Sequence, residues 1–305
     1  MTPRPQIIFV HEGKAAYPEI AAYRRFFADR FETAESRARD LKEPAHAVLW
    51  HMMGVYPRRW GGKTIIHDYR SLSVGRFSRQ KDLLKRHLNA RPTFRIFQNE
   101  AIRGAMGFRD DVPSFLLPMG VPESILALRG GGEEAKAHDF CYIGAMSAER
   151  RTDLMIDSFL RRFGASKNFL LLGAPEPWLL EKYRVHSNVL FGGKRPQDEV
   201  FALLKQTRCA VNYFPNHFPH LLQTPTKLLE YAALGARVLS NEHPASREAA
   251  KLYGIASLWG PEGDMFRDAP DDLSWADNGA LDPAPFLWPA IIEKSGIARA
   301  LAAAS

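Results

Sequence analysis

The stretch PTKLLEYAALG, Pro225 to Gly235, sets a hydroxyl, an ammonium and a carboxylate on one short helical pattern: Thr226, Lys227 and Glu230. Thr224 reads as the N-cap and Pro225 as the first helical position, where a missing N–H costs nothing. Leu228, Leu229, Tyr231, Ala232 and Leu234 supply an apolar face, and Gly235 suits the left-handed position just past the end. A helix start presents unpaired N–H groups and a partial positive charge, which attract phosphate. Lys227 adds a full charge. Glu230, one turn further in, is spaced to accept two hydroxyl hydrogens from a pentose. The competing reading of Glu230 is a carboxylate that complements the helix dipole, and the segment alone leaves both open.

Other residues could do chemistry of a related kind. His11, Glu12 and Gly13 follow the first strand-like run, and Gly13 would let backbone amides approach a phosphate or a sugar. His67 and Asp68 close another such run, with Arg70 just beyond. There a His or Asp can take the proton from an acceptor hydroxyl; the alternative is a satisfied structural pair. Arg150 and Arg151 stand at an expected helix start, and Lys194 lies in the loop GGKRP. These cations could meet the charge on a departing diphosphate, or be solvated. Gly173 ends a strand, as a close-approach site for a base or as a turn glycine. His217 and His220 form an H-x2-H pair without further ligands nearby, and no D-x-D motif stands out, so no metal and no cofactor are expected. Cys141 and Cys209 sit in apolar runs and read as buried free thiols.

Something must hold these groups in place. Strand-like runs in the first half are QIIFV (6–10), HAVLW (46–50), KTIIH (63–67), TFRIFQ (93–98) and SFLLPMG (114–120). Helix-like stretches such as IAAYRRFFADRF and SRQKDLLKRHL lie between them. LRGGGEEAKAH (128–138) is the linker candidate. The pattern then restarts with DFCYIG, NFLLLG, NVLFGG, RCAVNYF, ARVLS and GIASLW. Near-continuously apolar strands alternating with helices predict parallel sheets covered on both faces. Ligands of such sheets bind beyond the carboxyl ends of the strands. Two domains facing a cleft are therefore expected, 1–128 and 139–285, with a helix in 286–305 packing back toward the first.

Charge narrows the partners. The chain of 305 residues has a formal net charge of +7, unevenly spread. Residues 1–130 carry 22 Lys and Arg against 13 Asp and Glu, and the rest 19 against 21. A basic first half attracts anions. Aromatic residues are not interleaved with the basic clusters, which argues against nucleic acid. No run of about 18 apolar residues exists, so no membrane span is expected. The opening residues lack a signal-peptide pattern, and a cytoplasmic protein is expected. The basic segment RFSRQKDLLKRHLNAR (76–91) reads either as a solvated helix or as a docking face for anionic lipid or a lipid-diphosphate acceptor.

The second half resembles the C-terminal domain of GT-B fold glycosyltransferases of the group that includes retaining family four. The likeness rests on FCYIGAMSAERRTDLMIDSFLRRF, FLLLGAPEP, NVLFGGKRPQDEVFALLKQT, CAVNYFPNHFPH and PTKLLEYAALGARVLS, in that order over about 110 residues. TIIHDY and FLLPMGVPES carry a weaker likeness in the first half. The resemblance implies an α/β, GT-B chain with two Rossmann-like domains facing a central cleft, and a metal-independent transfer of sugar from a nucleoside-diphosphate donor to a hydroxyl. The acceptor would be a glycan, a lipid-linked glycan or a protein, in bacterial surface glycan or glycoconjugate synthesis, with retention the expected outcome and peripheral contact with an anionic membrane. Glu230 matches the ribose-binding Glu of an E-x7-E motif whose first position is Leu222 here, and Ala145 stands where the first basic residue would follow Gly144. Arg151, with Arg150 close by, and Lys227 would then hold the diphosphate, with Lys194 a third candidate. His67 and Asp68 would face the sugar and the acceptor. Gly13, Gly144, Gly173, Tyr213, Thr224, Thr226 and Leu228 complete the expected donor set. Leu222 and Ala145 keep two alternatives open: a non-catalytic relative that binds a nucleotide or glycan, and a nucleotide-sugar epimerase.

Overall fold

The computed structural model describes residues 4–13, 17–42, 47–130 and 136–304; positions 131–135 of the expected linker, and His46, lie outside them. The chain divides into two compact units, Met1–Pro122 with Leu287–Ser305, and Glu123–Phe286.

The first unit holds a six-stranded sheet of β1 (Gln6–His11), β2 (Glu32–Arg37), β3 (Ala47–Met52), β4 (Ile65–Tyr69), β5 (Phe94–Phe97) and β6 (Ser114–Leu116). The order is β2-β1-β3-β4-β5-β6 and every pairing is parallel. Strands β3 and β4 are buried along their whole length, as expected of parallel strands covered on both faces. Strand β2, ETAESR, has no apolar run to betray it. It is an edge strand, so half of its surroundings are solvent and polar side chains cost it little. Helix α1 (Pro18–Phe27), α2 (Ser78–Leu88) and α3 (Glu100–Met106) connect the strands. Asn99 caps α3 by accepting the Ile102 N–H at 2.8 Å, and Gly107 ends it in the left-handed conformation.

The second unit repeats the plan with β7 (His138–Ile143), α4 (Thr152–Phe163), β8 (Phe169–Leu172), α5 (Pro177–Tyr183), β9 (Val189–Gly193), α6 (Gln197–Lys205), β10 (Thr207–Asn212), α7 (Thr226–Ala233), β11 (Val238–Asn241), α8 (Pro244–Tyr253) and β12 (Leu258–Gly260). Its sheet runs β12-β11-β10-β7-β8-β9, again all parallel. An aromatic core of Phe140, Phe159, Phe163, Phe169 and Phe266 packs one face with mainly edge and tilted contacts. Cys141 and Cys209 are free and buried, and burial pushes the Cys141 thiol up to about 12.

The second unit begins before the expected linker. A short 3-10 helix, Glu123–Leu128, packs on α7, and Arg129 donates to the carbonyls of Ala233, Asn278 and Gly279. The closing segment, with α9 (Trp288–Ser295) and α10 (Ile297–Ala304), belongs to the first unit. The Trp288 N–H donates to the Val121 carbonyl at 3.0 Å, and its indole packs edge-on to Tyr23, 5.9 Å between centroids.

Candidate functional site

In the second unit the strand order reverses between β7 and β10: β8 and β9 lie to one side, β11 and β12 to the other. Connections leave that point in opposite directions and part beyond the strand ends, which opens a crevice. A cavity of about 240 Å³ occupies it, lined by Ile143, Gly144 and Ala145 after β7, by Asn212, Tyr213 and Phe214 after β10, by Arg150, and by Pro225, Thr226 and Lys227 at the start of α7. Tyr142 and Val211 complete the wall.

Local sequence explains how α7 points there. Pro225, not Thr224, is the N-cap, with φ −69° and ψ 119°, and its side chain makes no capping hydrogen bond. The first N–H groups of the helix have no carbonyl partner within it and point toward the cavity end of the unit. Leu228, Leu229 and Tyr231 are fully buried and clamp the helix to the sheet. The Tyr231 hydroxyl accepts the Ile143 N–H at 3.2 Å, joining the helix to the end of β7. Leu228 is thus a core side chain; only its backbone can face a donor. Lys227 forms an ion pair with Glu230 across one helical turn. The Glu230 side chain is buried and does not line the cavity; it lies behind the half-exposed Lys227, which does.

The arginine pair divides. Arg150 lines the cavity, its guanidinium 5.1 Å from the Phe214 ring centroid. Arg151 caps α4 in the left-handed conformation, φ 50°, and its side chain is exposed and not part of the lining. That backbone turn sends the two neighbouring side chains in different directions. Arg151 contributes its carbonyl, which accepts the Tyr213 hydroxyl hydrogen at 3.1 Å. Among the described residues, then, Arg150 and Lys227 are the two cations of the cavity.

Gly144 and Gly173 answer a packing need. A Cβ on Gly144 would strike the Tyr142 phenol. Gly173 has φ +144°, and a Cβ there would fall on the Gly144 carbonyl oxygen. Gly173 does not line the cavity, and neither does Lys194, which is exposed beyond β9. His217 and His220 meet edge-on at 5.3 Å, and the His220 Nε2 lies 3.7 Å from Glu149. Among the described residues no group of three or more His, Cys, Asp or Glu is placed to hold a metal ion.

In the first unit the strand order reverses between β1 and β3. Gly13 lies just past β1 in the left-handed conformation, φ +73°. Glu12 accepts the Val55 N–H at 3.3 Å beside Gly54, which has φ +104°. The two residues expected at the end of β4, His67 and Asp68, are buried rather than at a surface. Asp68 has no exposed surface. Its carboxylate accepts from the Tyr23 hydroxyl at 3.0 Å and the Trp50 indole at 3.1 Å, and Arg70 lies at 3.9 Å. Burial pushes this carboxyl up, against the pull of Arg70 and the two hydrogen bonds. Arg70 donates in turn to the carbonyls of Leu117 and Pro118. His67 points to the other face, as alternate residues of a strand must. It is buried against His51, 5.2 Å between centroids, and Tyr69. Burial drives its imidazole well below the usual range. A strand-end position suggests exposure, but the rings of His51, Tyr56 and Tyr69 surround it.

Sequence reasoning missed Asn212 and Phe214 as cavity residues. The Asn212 side chain donates to Ser240 at 2.9 Å, bridging β10 and β11. The signal available was their place directly after an apolar strand run.

No family model and no curated protein matches this chain at a significant level. Solved structures do. HepE of Anabaena, in complex with UDP-glucose, aligns with a TM-score of 0.73 at 11% identity, over 98% of this chain and 99% of that one. A glycosyltransferase of Rickettsia africae aligns with 0.67 at 7% identity, over 96% and 97%. AviGT4, a glycosyltransferase involved in avilamycin A biosynthesis, aligns with 0.64 at 15%, over 98% of each. The correspondence runs through both sheets and nearly the full length of each chain: the fold is GT-B, two Rossmann-like units each built on a parallel sheet.

Proposed function

We propose that this chain is a glycosyltransferase of the hexosyltransferase type that moves a sugar from a nucleoside-diphosphate donor to a hydroxyl acceptor. One observation carries the reading. The start of α7, Arg150 and Lys227 converge on a cavity, with the buried carboxylate of Glu230 paired to Lys227. The helix start and the two cations suit a diphosphate, and Glu230 suits ribose hydroxyls. An entering diphosphate would draw Lys227 from Glu230 and free that carboxylate for the ribose. As the donor breaks, charge grows on the leaving phosphate oxygen, and fixed cations there lower the barrier. HepE, of the same fold, has been solved with UDP, with UDP and glucose, and with UDP-glucose.

Retention is the stereochemical outcome proposed. An inverting displacement needs a protein base for the acceptor hydroxyl, and the two strand-end candidates, His67 and Asp68, are both sealed inside the first unit. The acceptor proposed is a glycan, lipid-linked or protein-linked hydroxyl of a bacterial surface glycan or glycoconjugate. Calorimetric titration with nucleoside diphosphates tests the site. Glu230→Ala should weaken binding by about 2–3 kcal/mol, roughly 30- to 150-fold, because two hydrogen bonds to a charged acceptor are lost. Unchanged affinity would remove Glu230 from the site. Leu222 in place of a carboxylate favours a second reading, a nucleotide-binding relative without transfer activity. Slow hydrolysis of a nucleotide-sugar by the native chain, absent in Lys227→Ala, separates the two.

A further inference from the structure

Helix α2 is folded inside out. At 3.6 residues per turn its residues Asp82, Lys85 and Arg86 share one side, and Leu83, Leu84, His87 and Leu88 the other. In an ordinary surface helix the leucines would face the core. Here the polar side does. Asp82 accepts the Ser73 N–H with both oxygens at 3.1 Å, Lys85 pairs with Asp82 at 3.0 Å, and Arg86 donates to the Gly107 carbonyl at 3.2 Å. The leucines are left in solvent: Leu83 is 46% exposed, Leu84 50% and Leu88 52%. Phe77 and Val74, just before the helix, are 58% and 46% exposed. Half of the exposed large apolar side chains among the described residues thus lie between positions 74 and 88.

We propose that this face docks on an anionic lipid surface. The charge pattern chooses that occupant. On the helical wheel Arg79 and Lys81 flank the leucine stripe, one on each side, and no carboxylate points outward with them. Arg76 precedes the stripe; Arg91, which follows it, is already ion-paired with Asp111 and adds no net charge. A helix lying in a bilayer interface has this layout, with its apolar stripe among the acyl chains and cations at the headgroups. Each basic residue near an anionic leaflet contributes about 1 kcal/mol. A second copy would set the same cations against each other, which disfavours self-association through this face. The inward polar contacts fix the helix by hydrogen bonds and an ion pair, so the leucines are not needed for its docking to the unit. Their exposure is then explained by what they meet outside it.

The test is co-flotation of the full chain with phosphatidylcholine vesicles, with and without about a third phosphatidylglycerol. The native chain should bind the anionic vesicles, more weakly as salt rises, and scarcely bind the neutral ones. Leu83→Ser, Leu84→Ser and Leu88→Ser combined should lower partitioning about tenfold or more. Arg79→Gln with Lys81→Gln should lower it about fivefold or more and flatten the salt dependence. Should the triple variant fail to fold, Leu84→Cys carrying an environment-sensitive dye reports on the native fold, since both natural cysteines are buried; its emission should shift to the blue with anionic vesicles. Absence of vesicle binding, or binding unaffected by the leucine and cation changes, overturns the proposal. So does a concentration-dependent dimer, seen by sedimentation, that the triple variant abolishes and that ignores vesicles. None of these readings depends on the nucleotide cavity.

Discussion

The two units place polar residues beyond or near the carboxyl ends of their central strands and treat them in opposite ways. In the first, Asp68 and Arg70 are walled in by Tyr23, Trp50 and Trp288 and satisfied by indole, phenol and carbonyl groups. In the second, Arg150 and Lys227 line a cavity, with Lys227 half-exposed and paired to the buried Glu230. The first arrangement spends its charge on holding a structure together. The second keeps charge available to a ligand. A charged residue near a strand end is therefore informative only once its neighbours are known.

The contrast can be broken at its strongest point. Asp68→Ala leaves the buried Arg70 without its carboxylate and should cost about 3–5 kcal/mol in urea unfolding. It should fail to bind nucleotide only to the extent that it fails to fold. Glu230→Ala should do the reverse: lose the nucleotide and keep most of its stability. If Asp68→Ala instead folds normally and loses only turnover, the buried cluster of the first unit is a working site.

A smaller effect sharpens the same comparison through pH. His51, stacked on Tyr56 at 4.3 Å, is buried, and burial pushes its imidazole down to about 4 from 6.5. The folded form binds this proton more weakly than the unfolded one. The stability it contributes is complete above about pH 6.5 and is lost as pH falls toward 4. Native chain and His51→Gln should differ in this slope, by on the order of 3 kcal/mol across the window. Parallel pH profiles would show that the His51 environment is open to water.

The smallest effect belongs to the second unit. Gly173→Ala meets both a left-sided φ of +144° and the Gly144 carbonyl. A loss of about 2 kcal/mol in thermal unfolding is expected, and a shifted Gly144 should weaken nucleotide binding with it. Full stability in that variant would mean that the turn at the end of β8 gives way without cost.

Much of this was legible along the chain. Eleven strands announce themselves as apolar runs, because a parallel strand covered on both faces has nowhere to put polar side chains. Only β2 escaped, being a polar edge strand. The helix start at α7 was legible within one residue, since Pro and Gly constrain the backbone locally. The division of labour between Arg150 and Arg151 was not, because it turns on one left-handed residue at a helix cap. Nor was the burial of His67 and Asp68, which depends on Tyr23, Trp50 and Tyr56, set on other elements. Which side of α2 meets the unit was not legible either; the contacts of Asp82 with Ser73 and of Arg86 with Gly107 turn its leucines outward.

Read alone, the amino-acid order determined which segments are strands and helices, that the sheets are parallel, and that Lys227 and Glu230 share the first turns of one short helix. These are local matters of periodicity and backbone restriction. Which charges remain free to meet a ligand, and which face of a helix meets solvent, was decided only by the tertiary structure. Solvation is a property of everything packed around a group, and a side chain's sequence neighbours are seldom the ones that exclude its water.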